Sequence, residues 1–161
     1  MVLNPFRRKN STPRQEKLRA LALFVELSSA ELAIVDGLLH ERDCLKDEVI
    51  FDEGEDGQAI YIVIEGEVLI CRQGEPQTGR LALLGPGTFF GDVALIDDSP
   101  RTAQARAADD CRLAVFFRAD FLGLMETHAV IASKISLQLA RNMGRRLREA
   151  MLGAAVTHQH L

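Results

Sequence analysis

The residues best suited to chemistry run from Gly85 to Ala103. There Gly85-Pro86-Gly87-Thr88-Phe89-Phe90-Gly91-Asp92-Val93-Ala94-Leu95-Ile96 leads into Asp97-Asp98-Ser99-Pro100-Arg101-Thr102-Ala103. Glycine lets a backbone come close to a ligand, and a helical turn opening near Asp92 would aim its free N–H groups at an anion. Arg101 returns nine residues after Asp92 with a planar guanidinium that can grip a phosphate through two parallel hydrogen bonds. The same spacing also fits a plain surface loop in which Arg101 pairs with Asp97 or Asp98. Spacing alone leaves both open.

Other candidates carry less. The acidic turn Asp52-Glu53-Gly54-Glu55-Asp56-Gly57 invites a calcium reading, but a calcium-binding loop wants an oxygen ligand at its third position and Glu at its twelfth. Those places hold Gly54 and Val63, so no calcium site is expected. His158-Gln159-His160 lacks a third ligand, and Cys44, Cys71 and Cys111 stand far apart in sequence with no zinc or disulfide spacing. Reduced thiols and no metal are expected. No nucleophile, base and orienting group fall into a recognisable set, which argues against an enzyme.

The elements that must position the glycine-rich stretch follow from hydrophobic period. Leu18, Leu21 and Ala22 fall at helical spacing within Arg14 to Leu23, and Pro13 suits the first turn. Ser28 and Glu31 form a capping-box pair ahead of a second helix running to about Leu39, with Leu32, Val35 and Leu39 inward. From Glu41 the period shortens. Val49 and Phe51, then Ile60-Tyr61-Ile62-Val63-Ile64, then Val68 and Ile70 read as strands, with turns at Asp52–Gly57, Glu65-Gly66 and Gln73-Gly74-Glu75-Pro76. A further strand starts at Leu81–Leu84, and short strands continue to Arg112–Phe117. Phe121, Leu122 and Met125 then mark a short helix, and a longer one spans about Ala129 to Leu152. Helices, about eight strands and helices again, without βαβ alternation, predict a mainly β double-stranded β-helix, a jelly-roll-like β-roll, flanked by N-terminal helices and a long C-terminal helix.

Phe90-Gly91-Asp92-Val93-Ala94-Leu95 followed by Pro100-Arg101-Thr102-Ala103 closely resembles the phosphate-binding cassette of the cyclic-nucleotide-binding domain family. Ile60 to Val68, with Gly66 at its turn, is similar to that family's strand-turn-strand segment, and the resemblance spans roughly Phe24 to Leu152. It implies a sensor of a cyclic purine nucleotide, cAMP or cGMP, in place of a catalytic cofactor. Arg101 would hold the cyclic phosphate, helped by backbone N–H groups near Val93, Ala94 and Leu95 and by the Thr102 side chain. Gly91 and Asp92 would meet the ribose. The family carries Glu where this chain has Asp92, one methylene shorter. The base pocket would be walled by Ile70, Leu81 and Leu84 and covered by Asn142, Met143 or Arg146 from the last helix.

Net charge is −4 and the isoelectric point about 5.6, which argues against the whole chain gripping nucleic acid nonspecifically. No apolar run reaches the roughly 20 residues that span a bilayer, and neither a secretory signal nor a membrane partner is expected, so the cytoplasm is the expected compartment. Leu137, Ala140, Gly144, Leu147, Met151 and Ala154 repeat at coiled-coil spacing, while Ile131, Ile135 and Leu139 form a second stripe that can face the roll. A homodimer through the last helix is expected, an intramolecular fold-back being the alternative, with Arg141, Arg145, Arg146 and Arg148 mostly solvated or forming a small docking patch. Only nine residues follow Leu152, too few for a helix-turn-helix module. The expected arrangement is a flexible lead-in (1–13), one sensor domain (14–152) and a tail (153–161), signalling to an unidentified protein effector. The competing reading is a degenerate domain that has lost its ligand and survives as a dimerising or docking module.

Overall fold

A computed structural model describes residues 12–158, with side chains through Gly153. Most of the expected lead-in and the end of the His158-Gln159-His160 tail lie outside the described residues. Helix α1 (Pro13–Arg19) opens on a capping box in which Gln15 N–H donates to Thr12 Oγ1 at 3.2 Å, with Pro13 in the first turn. It stops at Arg19 instead of continuing to Leu23. Leu21, Leu23 and Phe24 reach the core from a tighter turn, Ala22–Phe24, because a straight helix would turn some of them outward. Helix α2 (Ser29–Asp36) carries the expected Ser28 and Glu31 capping box and ends three residues before Leu39.

Eight strands follow: β1 (His40–Cys44), β2 (Val49–Phe51), β3 (Ala59–Glu65), β4 (Val68–Arg72), β5 (Glu75–Leu84), β6 (Phe89–Phe90), β7 (Gln104–Ala107) and β8 (Cys111–Phe117). They form two antiparallel four-stranded sheets, ordered β1-β8-β3-β6 and β2-β7-β4-β5. Between the sheets lie Phe51, Val63, Val68, Phe90, Ala105, Cys111 and Leu113. The outer face of the first sheet presents Ile60, Ile62, Ala114 and Phe116 to the helices. Strand β3 is therefore covered on both faces. That explains why its sequence is an unbroken apolar run instead of an alternating one.

Helix α3 (Arg118–Thr127) continues straight from β8, and α4 (Ala129–His158) follows it. Ile131, Ile135 and Leu139 are buried among Phe24, Leu32, Phe121 and Leu124, as the inward stripe requires. Each fully buried side chain of this kind contributes about 1.5–3 kcal/mol, so these three fix the first half of α4 far more firmly than any surface ion pair. Lys134 Nζ adds a 2.8 Å bond to Glu31 on α2. The helix runs past Leu152 to His158, so the segment expected as a tail begins as helix. Leu137, Leu147 and Met151 on its other face are exposed.

Gly66 turns β3 into β4 with φ +81°, and a Cβ there would meet the Asp110 carbonyl oxygen at 2.3 Å and the Cys111 backbone at 2.8 Å. Only glycine satisfies both the left-handed backbone and this close approach.

Candidate functional site

The glycine-rich stretch folds as expected into a strand, a single turn and a return. Gly91 sits at φ +72° between β6 and a short turn, Asp92–Leu95. The positive φ favours glycine at this position, and a Cβ on Gly91 would crowd the Arg101 guanidinium. The chain then passes Ser99 and Pro100, and Arg101 folds back beneath the turn. Arg101 N–H donates to the Glu55 carbonyl and Gly54 N–H to the Arg101 carbonyl, both at 2.8 Å, while Asp56 bridges to Pro100. The acidic turn thus clamps the backbone of Arg101. No cluster of three metal-ligating side chains occurs among the described residues.

Arg101 is 9% exposed. Its Nη2 donates to the Ala59 carbonyl at 2.8 Å and its Nη1 to the Gly91 carbonyl at 3.1 Å. The guanidinium carbon lies 4.1 Å from the centre of the Phe51 ring, an attractive cation–π contact. Nε is buried without a hydrogen-bond partner. Burial lowers the Arg101 pKa from the ordinary guanidinium value, opposed by Tyr61 and Glu55, as desolvating a cation must.

The alternative pairing of Arg101 with Asp97 or Asp98 does not occur. Asp97 accepts from Ser99 N–H at 3.1 Å and from Ser99 Oγ at 2.6 Å. Asp98 forms an ion pair with Arg118 at the start of α3. No carboxylate pairs with Arg101 among the described residues. A buried cation satisfied only by carbonyls and a ring face is costly unless something else offsets its charge.

Beside Arg101 lies a pocket of about 170 Å³ lined by Phe51, Ile70, Gly91–Ala94, Ser99–Ala103 and Arg146. The fold thus brings together Gly91, Asp92, Val93, Ala94, Arg101 and Thr102, with Ile70 on one wall and Arg146 reaching in from α4. Leu95 is not among the lining residues and packs into the helical core. The Ala94 N–H already donates to the Gly91 carbonyl at 3.2 Å.

Leu81 does not wall the pocket. It is 54% exposed because the β4–β5 ladder slips between Ile70 and Cys71, pairing them with Ala82 and Arg80 and leaving Leu81 as the extra residue. Leu84 packs at the edge of the core between the sheets, outside the pocket lining. Asn142 and Met143 are also outside it, and Asn142 Oδ1 accepts from Arg145 at 2.6 Å. Arg146 is present, but its partner is Asp92. Its Nη2 donates to Asp92 Oδ2 at 2.5 Å, joining a half-exposed guanidinium to a carboxylate only 4% exposed.

Two contributors were missed. Phe51 supplies the face under Arg101, and Gly57 lets Ala94 and Arg101 approach, since a Cβ there would lie 2.7 Å from Ala94 Cβ. The apolar run Val49-Ile50-Phe51 marked Phe51 as a core candidate but not as the face under Arg101. Nothing local marked Gly57 apart from its turn.

This geometry, a glycine-walled pocket over an unpaired buried arginine, agrees with the family match. Residues 41–128 match the family model described as the cyclic nucleotide-binding domain. The chain belongs to the cyclic-nucleotide-binding domain family. It is 36% identical over 138 residues to the Cyclic AMP receptor protein of Thermus thermophilus, covering 84% of this chain and 61% of that protein. Similarity to the cAMP-dependent protein kinase regulatory subunit of Mycosarcoma maydis is 32% over 127 residues, 70% of this chain and 24% of that protein. The crystal structure of Thermus thermophilus Catabolite Activator Protein superposes with a TM-score of 0.74 at 35% identity, covering 85% of this chain and 63% of that one. The chain thus spans less than two thirds of the length of each of these proteins. No described helix is long and apolar enough to cross a membrane.

Proposed function

We propose that the chain binds a cyclic purine nucleotide in the Arg101 pocket, with cAMP preferred over cGMP, and passes occupancy through α4 to a second copy or an effector. The observation that carries this reading is Arg101 itself. It is buried, has no carboxylate partner among the described residues, and lines the pocket with its buried Nε left without a hydrogen-bond partner. A cyclic phosphate supplies the missing anion, with Thr102 beside it. Gly91 and Asp92 face the ribose, with the second carboxylate oxygen of Asp92 free to accept from a hydroxyl while Arg146 holds Oδ2. Both relatives carry cAMP in their names.

Preference between nucleotides rests on few contacts. Ile70 and Phe51 offer apolar surface without base-specific donors, and the Thr102 hydroxyl at the pocket lining is placed beside the phosphate arginine, where it can serve the phosphate or a guanine amino group. One neutral hydrogen bond of about 1 kcal/mol is worth roughly fivefold in affinity. Side-by-side calorimetric titrations are therefore expected to show both nucleotides binding, cAMP tighter by no more than about tenfold. Thr102→Ala should reduce cGMP binding more than cAMP binding. A cGMP affinity more than tenfold tighter than that for cAMP overturns the ordering, and equal losses place the hydroxyl on the phosphate.

The exposed stripe Leu137, Leu147 and Met151 on α4 supports self-association, with Gly144 allowing two helices to approach. Sedimentation is expected to show a dimer at micromolar concentration and a monomer for Gly144→Glu. A wild-type monomer removes the dimer from the account. A ligand-free docking module is the second reading, favoured by the Asp92–Arg146 pair, in which Arg146 already occupies one oxygen of the ribose acceptor.

A further inference from the structure

Cys44 and Cys111 are 67 residues apart in sequence, yet the fold sets them directly opposite each other. They are the terminal register pair of the β1–β8 ladder, Cys44 the last residue of β1 and Cys111 the first of β8. Directly opposed residues on antiparallel strands point to the same face, here the interior between the sheets. Both sulfurs are free thiols, 3% and 5% exposed. Both residues also line one open cleft of about 200 Å³, together with Asp43, Leu45, Glu65, Asp110 and Arg112. The third thiol, Cys71, lies on β4 in the other sheet, within 3.5 Å of Gln104 Oε1.

We propose that Cys44 and Cys111 form a modification site, a dithiol that a hydroperoxide closes into a cross-strand disulfide tying β1 to β8. Opposed antiparallel residues have Cα atoms about 4.5–5.5 Å apart, inside the roughly 4.4–6.8 Å range that disulfides span. Their Cβ atoms ordinarily stand about 4.5–5.5 Å apart, whereas a disulfide wants about 3.8 Å. The strand ends must draw slightly together. A pair at the end of a ladder can do so, and a bond closed under some strain is one that cellular thiols reopen readily.

The two sulfurs are not equivalent. Burial pushes the Cys111 thiol up to about 11, with the neighbouring Cys44 and Glu48 adding to the effect. Burial raises Cys44 as well, and Glu48 adds to it, but the Arg42 guanidinium two residues earlier on the same face of β1 is the next-largest cause there and opposes the rise, whereas at Cys111 it is the smallest of the causes. Cys44 is therefore the sulfur that ionises and attacks. Its thiolate takes the distal peroxide oxygen, the O–O bond breaks, and a sulfenic acid and one water result once the leaving hydroxide is protonated. The Cys111 sulfur then attacks the Cys44 sulfur, the S–O bond breaks, and the hydroxyl leaves as a second water with the Cys111 proton. Two thiols and one hydrogen peroxide thus become one disulfide and two waters.

The test reads sulfur chemistry alone, so its outcome is independent of whether a nucleotide binds. The purified full chain is treated with hydrogen peroxide, quenched with an alkylating agent, and examined by intact-mass measurement and peptide mapping. The expected product is a single chain that carries one alkyl group, on Cys71, and is otherwise lighter by two hydrogen atoms, with one cross-linked pair joining Cys44 to Cys111. Dithiothreitol restores the two hydrogen atoms and leaves the alkyl group. Cys71→Ser keeps the cross-link and Cys44→Ser removes it. Separate alkylation or oxidation of Cys44 and Cys111, or a bond from either to Cys71 or to another copy, overturns the proposal. Wild type and Cys71→Ser suffice for the decision should Cys44→Ser fold poorly.

Discussion

Arg101→Ala weakens cyclic-nucleotide binding by at least tenfold in a chain that remains folded. A hydrogen bond to a charged group is worth about 1.5–3 kcal/mol, or roughly 10- to 100-fold in affinity. A guanidinium that meets a phosphate through two such bonds exceeds either alone. Among the described residues no second unpaired cation lines the pocket. Arg146 lines the same pocket but is held by Asp92. The cost to the fold is smaller. Of the two carbonyls that accept from Arg101, Gly91 keeps the Ala94 N–H, and only Ala59 loses a donor. Losing this one charge-assisted bond costs about 1.5–3 kcal/mol, and removing a buried charge offsets part of that. Calorimetry together with a thermal melt reads both effects. Unchanged affinity in a folded variant would contradict the placement of the phosphate.

The second large effect separates Asp92 from Arg146, because the two ends of their ion pair differ in burial. Asp92→Ala removes the buried carboxylate and leaves a half-exposed guanidinium that water can solvate. Affinity should fall by about 10- to 100-fold through the lost ribose contact, with little change in thermal stability. Arg146→Ala does the reverse. It strands a carboxylate that is 4% exposed, at a cost of about 1–3 kcal/mol. The incoming ribose hydroxyl then satisfies part of what Arg146 supplied, so binding suffers less than in Asp92→Ala. Thermal melts with and without cAMP check this, Arg146→Ala being expected to show the lower melting temperature and the larger shift on adding nucleotide. An affinity loss in Arg146→Ala as large as in Asp92→Ala would mean that Arg146 touches the ligand itself, as the sequence suggested for the base.

What the sequence revealed about this protein follows the range over which each cause acts. The Ser28 and Glu31 capping box, the doubly covered strand Ile60–Ile64 and the Gly66 turn depend on neighbours a few residues away, and all were legible. The resemblance carried the pocket, where Gly91, Asp92 and Arg101 do meet. Leu81 was misplaced because the resemblance carried no record of the slip between Ile70 and Cys71, which leaves Leu81 as the unpaired extra residue of its strand. Helix α1 was drawn too long because a turn at Ala22–Phe24 places apolar residues inward almost as well as a helix does. The choice among Asn142, Met143 and Arg146 needed the rotation of α4, which Ile131, Ile135 and Leu139 set from its buried half. The fate of Asp97 and Asp98 lay in Ser99 and Arg118, and the meeting of Cys44 with Cys111 in a pairing of the first strand with the last. Such long-range partners leave no local trace.

The most direct test of the central claim is a calorimetric titration of the purified wild-type chain, freed of any co-purified nucleotide, with cAMP and in parallel with 5′-AMP. A single saturable site per chain for cAMP, lost or at least tenfold weaker in Arg101→Ala, is the predicted result, with 5′-AMP binding much less tightly because its phosphate is not held in the ring. No saturable heat and no shift in melting temperature with cAMP, in a chain shown to be folded, would contradict the account and leave the domain as a ligand-free docking module.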